Sequence, residues 1–167
     1  MSKAVIGLGS NLGDRFAALR KAVVSLALLP QTEVVALSKV YETEPVDGPE
    51  QPNFYNAAVL IETQLSPYTV LGAGLGLEAA AGRLRTVRNG PRTLDVDLLL
   101  YENVKSESFE LTLPHPRILE RAYVLIPLND LFPSGRGLGL NFGASFREID
   151  KNGVRSTLFK LRESWED

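Results

Sequence analysis

GPRTLDVDLLLY, residues 90–101, decides how the rest of this chain is read. Leu94, Val96, Leu98 and Leu100 take alternate positions, with Asp95 and Asp97 between them. Residues two apart in a strand point to one face. The segment is therefore expected to bury its leucine face and hold Asp95 and Asp97 side by side on the other. Two close carboxylates repel each other and resist desolvation, and a cation between them relieves both costs. Magnesium commonly takes one or two carboxylates and completes its shell with substrate phosphates. A D-x-D is short, however, and by itself also fits an edge strand with a wet polar face.

Working outward, Arg83, Arg85, Arg88 and Arg92 lie within a dozen residues before the carboxylates, with no acid among residues 83–92. Guanidinium groups pair bidentately with phosphate oxygens. Arginines and metal carboxylates converging on one place are what a polyphosphate needs: the metal neutralises, and the arginines stabilise charge as it moves. The plain alternative for each arginine is a solvated loop charge, and Arg83 also fits a cap on the preceding helix. Glu78, alone, reads as a surface acid. His115 sits between two prolines in PHPR and is placed either for structure or to donate to a phosphate or ribose oxygen. Arg117 and Arg121 are four apart, the spacing of one helical face. Asn56 in FYNAAVL offers donor and acceptor to a mixed ring edge. Phe54, Tyr55 and Tyr123 supply either a stacking surface or core. No Walker-type GxxxxGK[ST] is present, and GLGSNLG lacks the GxGxxG spacing.

The 167 residues carry 44% hydrophobic and 23% charged side chains, the size and balance of one domain spanning 1–167. With no cysteine and one histidine, disulfides, thiolate chemistry and multi-histidine zinc sites are excluded within one chain. The net charge of −2 argues against a general nucleic-acid binder. No window approaches ~18 apolar residues, so no membrane span or membrane partner is expected. MSKAVIGLGSNLG lacks a secretory pattern, and the expectation is a cytoplasmic protein.

Lys3–Leu8 reads as a strand, and GSNLGD (9–14) as a turn into a helix carrying Phe16, Leu19, Val23 and Leu26, stopped by Pro30. Glu33–Glu42 reads as a strand, residues 43–53 as a long proline-rich loop, and Phe54–Thr63 as a strand. Ser66-Pro67 starts a helix toward Gly82, weakened by Gly72, Gly74 and Gly76. Leu94–Tyr101 is the next strand. A short helix follows within Leu111–Tyr123, then strand or buried coil over Val124–Leu131, and a strand around Thr157–Leu161. The order βαββαβ with an antiparallel central pair predicts an α/β (α+β) ferredoxin-like sandwich with extra C-terminal elements.

GSNLGD (9–14), TEPVDGPEQPNFYNA (43–57), EAAAGR (78–83), GPRTLDVDLLLY (90–101) and LPHPRILER (113–121) together resemble the 6-hydroxymethyl-7,8-dihydropterin pyrophosphokinases of folate biosynthesis, over about residues 3–132. The resemblance implies transfer of a pyrophosphoryl group from ATP to the hydroxymethyl oxygen of the reduced pterin, releasing AMP, by a monomer. It implies two magnesium ions on Asp95 and Asp97. Arg83, Arg85, Arg88 and Arg92 would face the ATP phosphates, with Arg83 and Arg92 catalytic beside the two aspartates. Glu78, Thr112, His115 and Arg121 would complete the nucleotide contacts. Asn56 would read the pterin edge, Phe54 and Tyr123 would sandwich its ring, and Thr43, Pro45 and Val46 would line its pocket. The chain departs from the family pattern at Asn89, where many members carry tryptophan, and at Leu75, where glutamine is common. Glu110 stands where some members have a basic residue, and Tyr123 replaces the more usual phenylalanine. The same residues leave two other readings open: a magnesium-dependent phosphohydrolase or nucleotidyl enzyme, and a non-catalytic ferredoxin-like module for RNA or an anion.

Overall fold

The alternation read at 90–101 places a strand at the edge of an antiparallel sheet, and the whole architecture follows from how its two faces are covered. The computed structural model describes residues 1–84 and 88–161. The elements that build the sheet are β1 (Ser2–Ser10), α1 (Arg15–Ala27), β2 (Thr32–Leu37), β3 (Tyr41–Thr43), β4 (Phe54–Thr63), α2 (Pro67–Ala80) and β5 (Asp95–Tyr101). Two short pairing strands follow, β6 (Ser106–Glu107) and β7 (Thr112–Leu113), then a 3₁₀ turn at Ile118–Glu120 and α3 (Ala122–Leu131). A hairpin of β8 (Arg136–Gly137) and β9 (Leu140–Asn141), α4 (Gly143–Glu148) and β10 (Val154–Ser156) complete the described chain.

The sheet order is β10-β3-β4-β1-β5, with β2 also paired to β4. β2 and β3 are two pieces of one broken strand, so the core is the expected βαββαβ ferredoxin-like sandwich. Both crossover helices lie on one face. Ala4, Ile6 and Leu8 of β1 pack there against Leu19, Val23 and Leu26 of α1 and Val70 of α2. Asp14 caps α1 by accepting from Ala17 N at 3.0 Å, and Ser66 caps α2 through Thr69 N, with Pro67 at its first position. α2 runs through all three of its glycines, because Gly74 is packed against Val96: an added Cβ would lie 3.0 Å from Val96 Cγ1. Tertiary contact outweighs propensity at that position. The opposite face is covered only in part. Val5, Ala58, Leu60, Leu99 and Leu100 pack against Leu125 and Leu128 of α3, Ile118 and Phe142.

Four expectations are corrected. The Glu33–Glu42 strand is broken at Ser38–Val40. Ser38 Oγ accepts from Ala58 N at 2.8 Å, taking a ladder position, and Asp130 of α3 accepts from Lys39 N and Tyr41 Oη. Leu100 does not share a face with Leu98. A register shift between Val5 and Ile6 leaves Leu99 as an extra residue, so Leu100 turns to the α3 side. Val124–Leu131 is neither strand nor coil but part of α3, whose internal Pro127 masks it in the sequence. The last strand is Val154–Ser156, paired to β3, and not Thr157–Leu161.

Candidate active site

Gly7 and Gly9 are the bare positions of β1 beside the carboxylates. β1 alternates, so while Ala4, Ile6 and Leu8 fill the helix side, positions 5, 7 and 9 face the other way. At 7 and 9 there is no side chain. Gly7 stands opposite Asp97 and Gly9 opposite Asp95 on β5, and on the other flank Gly9 stands opposite Asn56 on β4. A Cβ at Gly9 would lie 2.7 Å from Asn56 Oδ1. Gly9 therefore leaves room for the Asn56 amide, and the space over Gly7 is taken by Leu99, whose Cδ1 would lie 3.2 Å from an added Cβ.

Two recesses flank the carboxylates. The first brings together all six residues expected to bind the second substrate: Thr43, Pro45, Val46, Phe54, Asn56 and Tyr123. Arg92, Asp95 and Arg121 line the same recess. Asn56 Nδ2 donates to Thr43 Oγ1 at 2.6 Å, which leaves the Asn56 carbonyl oxygen as a free acceptor on this face. The Arg92 guanidinium lies 5.2 Å from the Phe54 ring centre, and that of Arg121 5.7 Å from the Tyr123 ring. Burial raises the Tyr123 hydroxyl above its usual value, so it stays protonated.

The second recess, of about 260 Å³, lies against the outer edge of β5 and holds Glu78, Asp97, Thr112 and His115. Its walls are Leu71, Leu75, Leu98 and Leu111. Val96 N points away from β1 and is taken by Glu78 Oε2 at 2.9 Å. Leu98, two residues on, presents its backbone in the same sense. This backbone edge is an arrangement that side-chain reading does not reveal. Burial, with Arg121 second, lowers the His115 pKa, so the ring is neutral at pH 7. Its Nδ1 faces Arg117 N at 3.4 Å.

Glu78 is not a surface acid. It is 4% exposed, and the cause is the edge strand and Arg83 that it holds. Arg83 Nη1 donates to Glu78 Oε2 at 2.6 Å, Asp95 Oδ1 at 2.7 Å and the Leu94 carbonyl at 3.2 Å. One guanidinium nitrogen thus ties the end of α2 to the start of β5. The carboxyl of Asp97 is pushed up to about 7 by burial, then by Asp95 and Glu78, with Arg121 and Arg83 pulling the other way. The Asp95–Asp97 pair is under-neutralised by protein groups alone. Among the described residues no group of three or more His, Cys, Asp or Glu side chains forms a metal cage. Two carboxylates with room beside them fit an ion whose remaining ligands come from phosphate and water.

Arg88 is exposed and lines neither recess. Arg85, like Trp165, lies outside the described residues. Arg117 and Arg121 do not share a helical face, since only a 3₁₀ turn separates them. Arg121 points into the first recess, while Arg117 pairs with Glu120 at 3.5 Å and Asp47 at 4.0 Å.

The GSNLGD turn has a role that spacing did not reveal. Asn11 is 2% exposed and joins two loops. Its Nδ2 donates to Gln51 Oε1 and to the Pro52 carbonyl at 2.9 and 2.8 Å. Its Oδ1 accepts from Arg92 N at 2.8 Å, and its own N donates to the Arg92 carbonyl. Gln51 Nε2 continues to the Asn89 carbonyl. Gly48 approaches Asn89 so closely that a Cβ would lie 2.4 Å from that carbonyl oxygen.

A carboxylate pair between two recesses on a ferredoxin-like sheet fits an enzyme that acts on two substrates. The 7,8-dihydro-6-hydroxymethylpterin-pyrophosphokinase family matches residues 5–133, and the chain belongs to that family. It is 42% identical over 154 residues to the 2-amino-4-hydroxy-6-hydroxymethyldihydropteridine pyrophosphokinase of Methylorubrum extorquens, covering 92% of this chain and 98% of that one. It is 41% identical over 152 residues to the Bacillus subtilis protein of the same name, covering 91% and 88%. The chain is an ATP-dependent pyrophosphokinase acting on hydroxymethyldihydropterin in folate biosynthesis. The Plasmodium falciparum HPPK-DHPS structure has the same fold, with a TM-score of 0.67 at 16% identity. That likeness covers 93% of this chain and about half (47%) of the longer one. No helix among the described residues is long and apolar enough to cross a membrane.

Proposed function

We propose that the pterin ring occupies the Asn56 recess, the ATP base the Leu98 recess, and the phosphate chain the ground between them over Asp95 and Asp97. The observation that carries this reading is the opposite character of the two recesses on either side of one carboxylate pair. One has a ring-reading amide, two aromatics and two arginines. The other has leucine walls beside the outer backbone edge of β5, and no arginine or lysine among its described lining residues. Asp95 and Asp97 would hold two magnesium ions, which when bound neutralise the phosphate oxygens.

The chain's own residues then do the positioning. Asn56 and Thr43 fix the pterin edge, and Phe54 and Tyr123 hold its plane, so that the hydroxymethyl oxygen lies in line with the β-phosphorus. Arg92 and Arg121 meet the phosphate chain from the pterin side. Arg83 spends only Nη1 on Glu78 and Asp95, which leaves Nε and Nη2 for phosphate oxygens. Thr112 and neutral His115 donate from the nucleotide side. A loose phosphoryl-type transition state needs alignment and charge stabilisation more than a strong base. The loops joined through Asn11 and Gln51 exclude water that would otherwise take the transferred group. The working unit is one chain spanning 1–167.

The test is product analysis with magnesium, ATP and 6-hydroxymethyl-7,8-dihydropterin. AMP and pterin diphosphate form one to one, and both vanish with Asp97→Ala or without pterin. ADP or free phosphate independent of pterin would overturn the reading in favour of a hydrolase. Titration of manganese with a non-hydrolysable ATP analogue counts the ions, with two per chain expected, and sedimentation gives the mass of one chain.

A further inference from the structure

Phe109 is fully exposed, at 106% of its reference area, on a turn that is otherwise bolted down. Ser108 Oγ bonds Tyr68 Oη of α2 at 2.7 Å and closes the turn on Leu111 from both sides, at 2.9 and 3.1 Å. Ser106 Oγ adds a bond to the same Leu111 carbonyl at 2.7 Å. The base of the turn is fixed to the helix, while its tip, Phe109–Glu110, projects free. An unpartnered phenylalanine held in water by a rigid turn is costly unless something covers it. It stands at the rim of the Leu98 recess and lines it with Leu71, Leu75 and Leu111.

The charge of that recess selects what enters. Glu78, Asp97 and Glu110 line it, and no lysine or arginine does among the described residues. His115 is neutral there. Phosphates are repelled from the outer end by Glu110 and drawn inward to the arginines. A flat, neutral ring with an amino donor suits an apolar slot with acidic and carbonyl acceptors. The slot is lined by Leu98, Leu71 and Leu75, and among its described lining residues Phe109 is the one aromatic ring.

We infer that Phe109 is the stacking cover of the nucleobase, closing on the exposed face of the ring of ATP and setting the enzyme's affinity for the base end of the nucleotide. The inference rests on the placement of the base in the Leu98 recess. Base–aromatic stacking is lost on alanine substitution with an affinity change of about 5- to 100-fold. The loss falls on Kd and KM for ATP rather than on kcat, because the contact is the same in ground and transition states.

The experiment is isothermal titration of wild type, Phe109→Ala and Phe109→Trp with α,β-methylene ATP and, separately, with inorganic tripolyphosphate, both with magnesium. The expected result is about tenfold weaker analogue binding by Phe109→Ala, recovery by Phe109→Trp, and tripolyphosphate binding equal in all three. Amide chemical shifts of Leu98 and Thr112 on addition of the analogue report the recess independently. Shifts there with Phe109→Ala binding within twofold of wild type overturn the cover and leave the base site standing. No shift at either amide overturns both. Equal weakening toward tripolyphosphate also overturns the cover, since the variant then acts on the phosphate site. So does wild-type self-association that Phe109→Ala abolishes with nucleotide affinity unchanged, which would make Phe109 an interface residue.

Discussion

The two faces of β1 do opposite work with the same strand. Toward the helices, Ala4, Ile6 and Leu8 fill space, and each larger side chain packs a neighbour on α1 or α2. Toward α3, the pattern begins as core at Val5 and is then stripped to Gly7 and Gly9. The stabilising face carries no chemistry, and the chemical face carries little packing. The site is thus made by removing side chains from a sheet that the other face already stabilises. The cost of holding Asp97 buried beside Asp95 is borne by the packed helix side of the sheet.

The sharpest way to break the contrast is Asp97→Asn. The folded-state value of about 7 lies above the ordinary 3.8, so the metal-free protein has its full share of stability below the lower value and loses it as pH rises through the upper one. At pH 8 the asparagine variant is expected to gain about 1–3 kcal/mol without metal, while turnover falls by about 10²–10³. Thermal melts at pH 5 and pH 8, with and without magnesium, check the first, and AMP release checks the second. A variant that is less stable at pH 8 would remove the idea that the carboxylates strain the fold.

Gly9→Ala is next. The new methyl meets Asn56 Oδ1, and the displaced amide is expected to cost about 10- to 100-fold in kcat/KM for pterin with ATP binding retained. Steady-state kinetics against each substrate separates the two. Asn11→Ala leaves Arg92 N and the Gln51 and Pro52 oxygens without their partner. The expected loss is about 1–3 kcal/mol of stability, read by urea unfolding, and a fall in kcat as Arg92 loses its register. The smallest effects belong to the helix side. Gly72→Ala and Gly76→Ala, where nothing lies within 4 Å, should each stabilise by about 0.5–1 kcal/mol. Gly74→Ala, against Val96, should not. Equal gains at all three would dissolve the claim that Gly74 is kept for packing.

What the sequence made legible follows from which residues repeat a period. β4 was readable to the residue, and the carboxylate strand was readable because Asp95 and Asp97 mark its alternation. The alternation ends at Leu98–Tyr101, where four apolar residues bury on both faces and no pattern betrays the extra residue at Leu99. α3 was hidden by Pro127, which removes the donor that the Tyr123 carbonyl would accept. Without α3 the break at Ser38–Val40 had no visible cause, since Asp130 supplies it from 91 residues away. The residues of the first recess were named from family motifs, and the structure gathers all six. The surroundings of Arg88 and Glu78 are not legible in the sequence. A charge in a loop has no period, and a buried acid is recognisable only once its edge strand and its arginine are in place. The role of Asn11 lies in contacts 40 and 81 residues distant.

The bare Gly9 position bears on how inhibitors of this enzyme would age. A compound in the first recess rests against Asn56, whose amide fits only because Gly9 beneath it has no side chain. Any substitution at Gly9 adds a side chain there, and its Cβ meets the Asn56 amide that we propose reads the natural substrate. Escape by that route lowers fitness at the same step. Substitutions at Val46, on the exposed rim of the first recess, leave the Asn56 amide untouched and are the cheaper route.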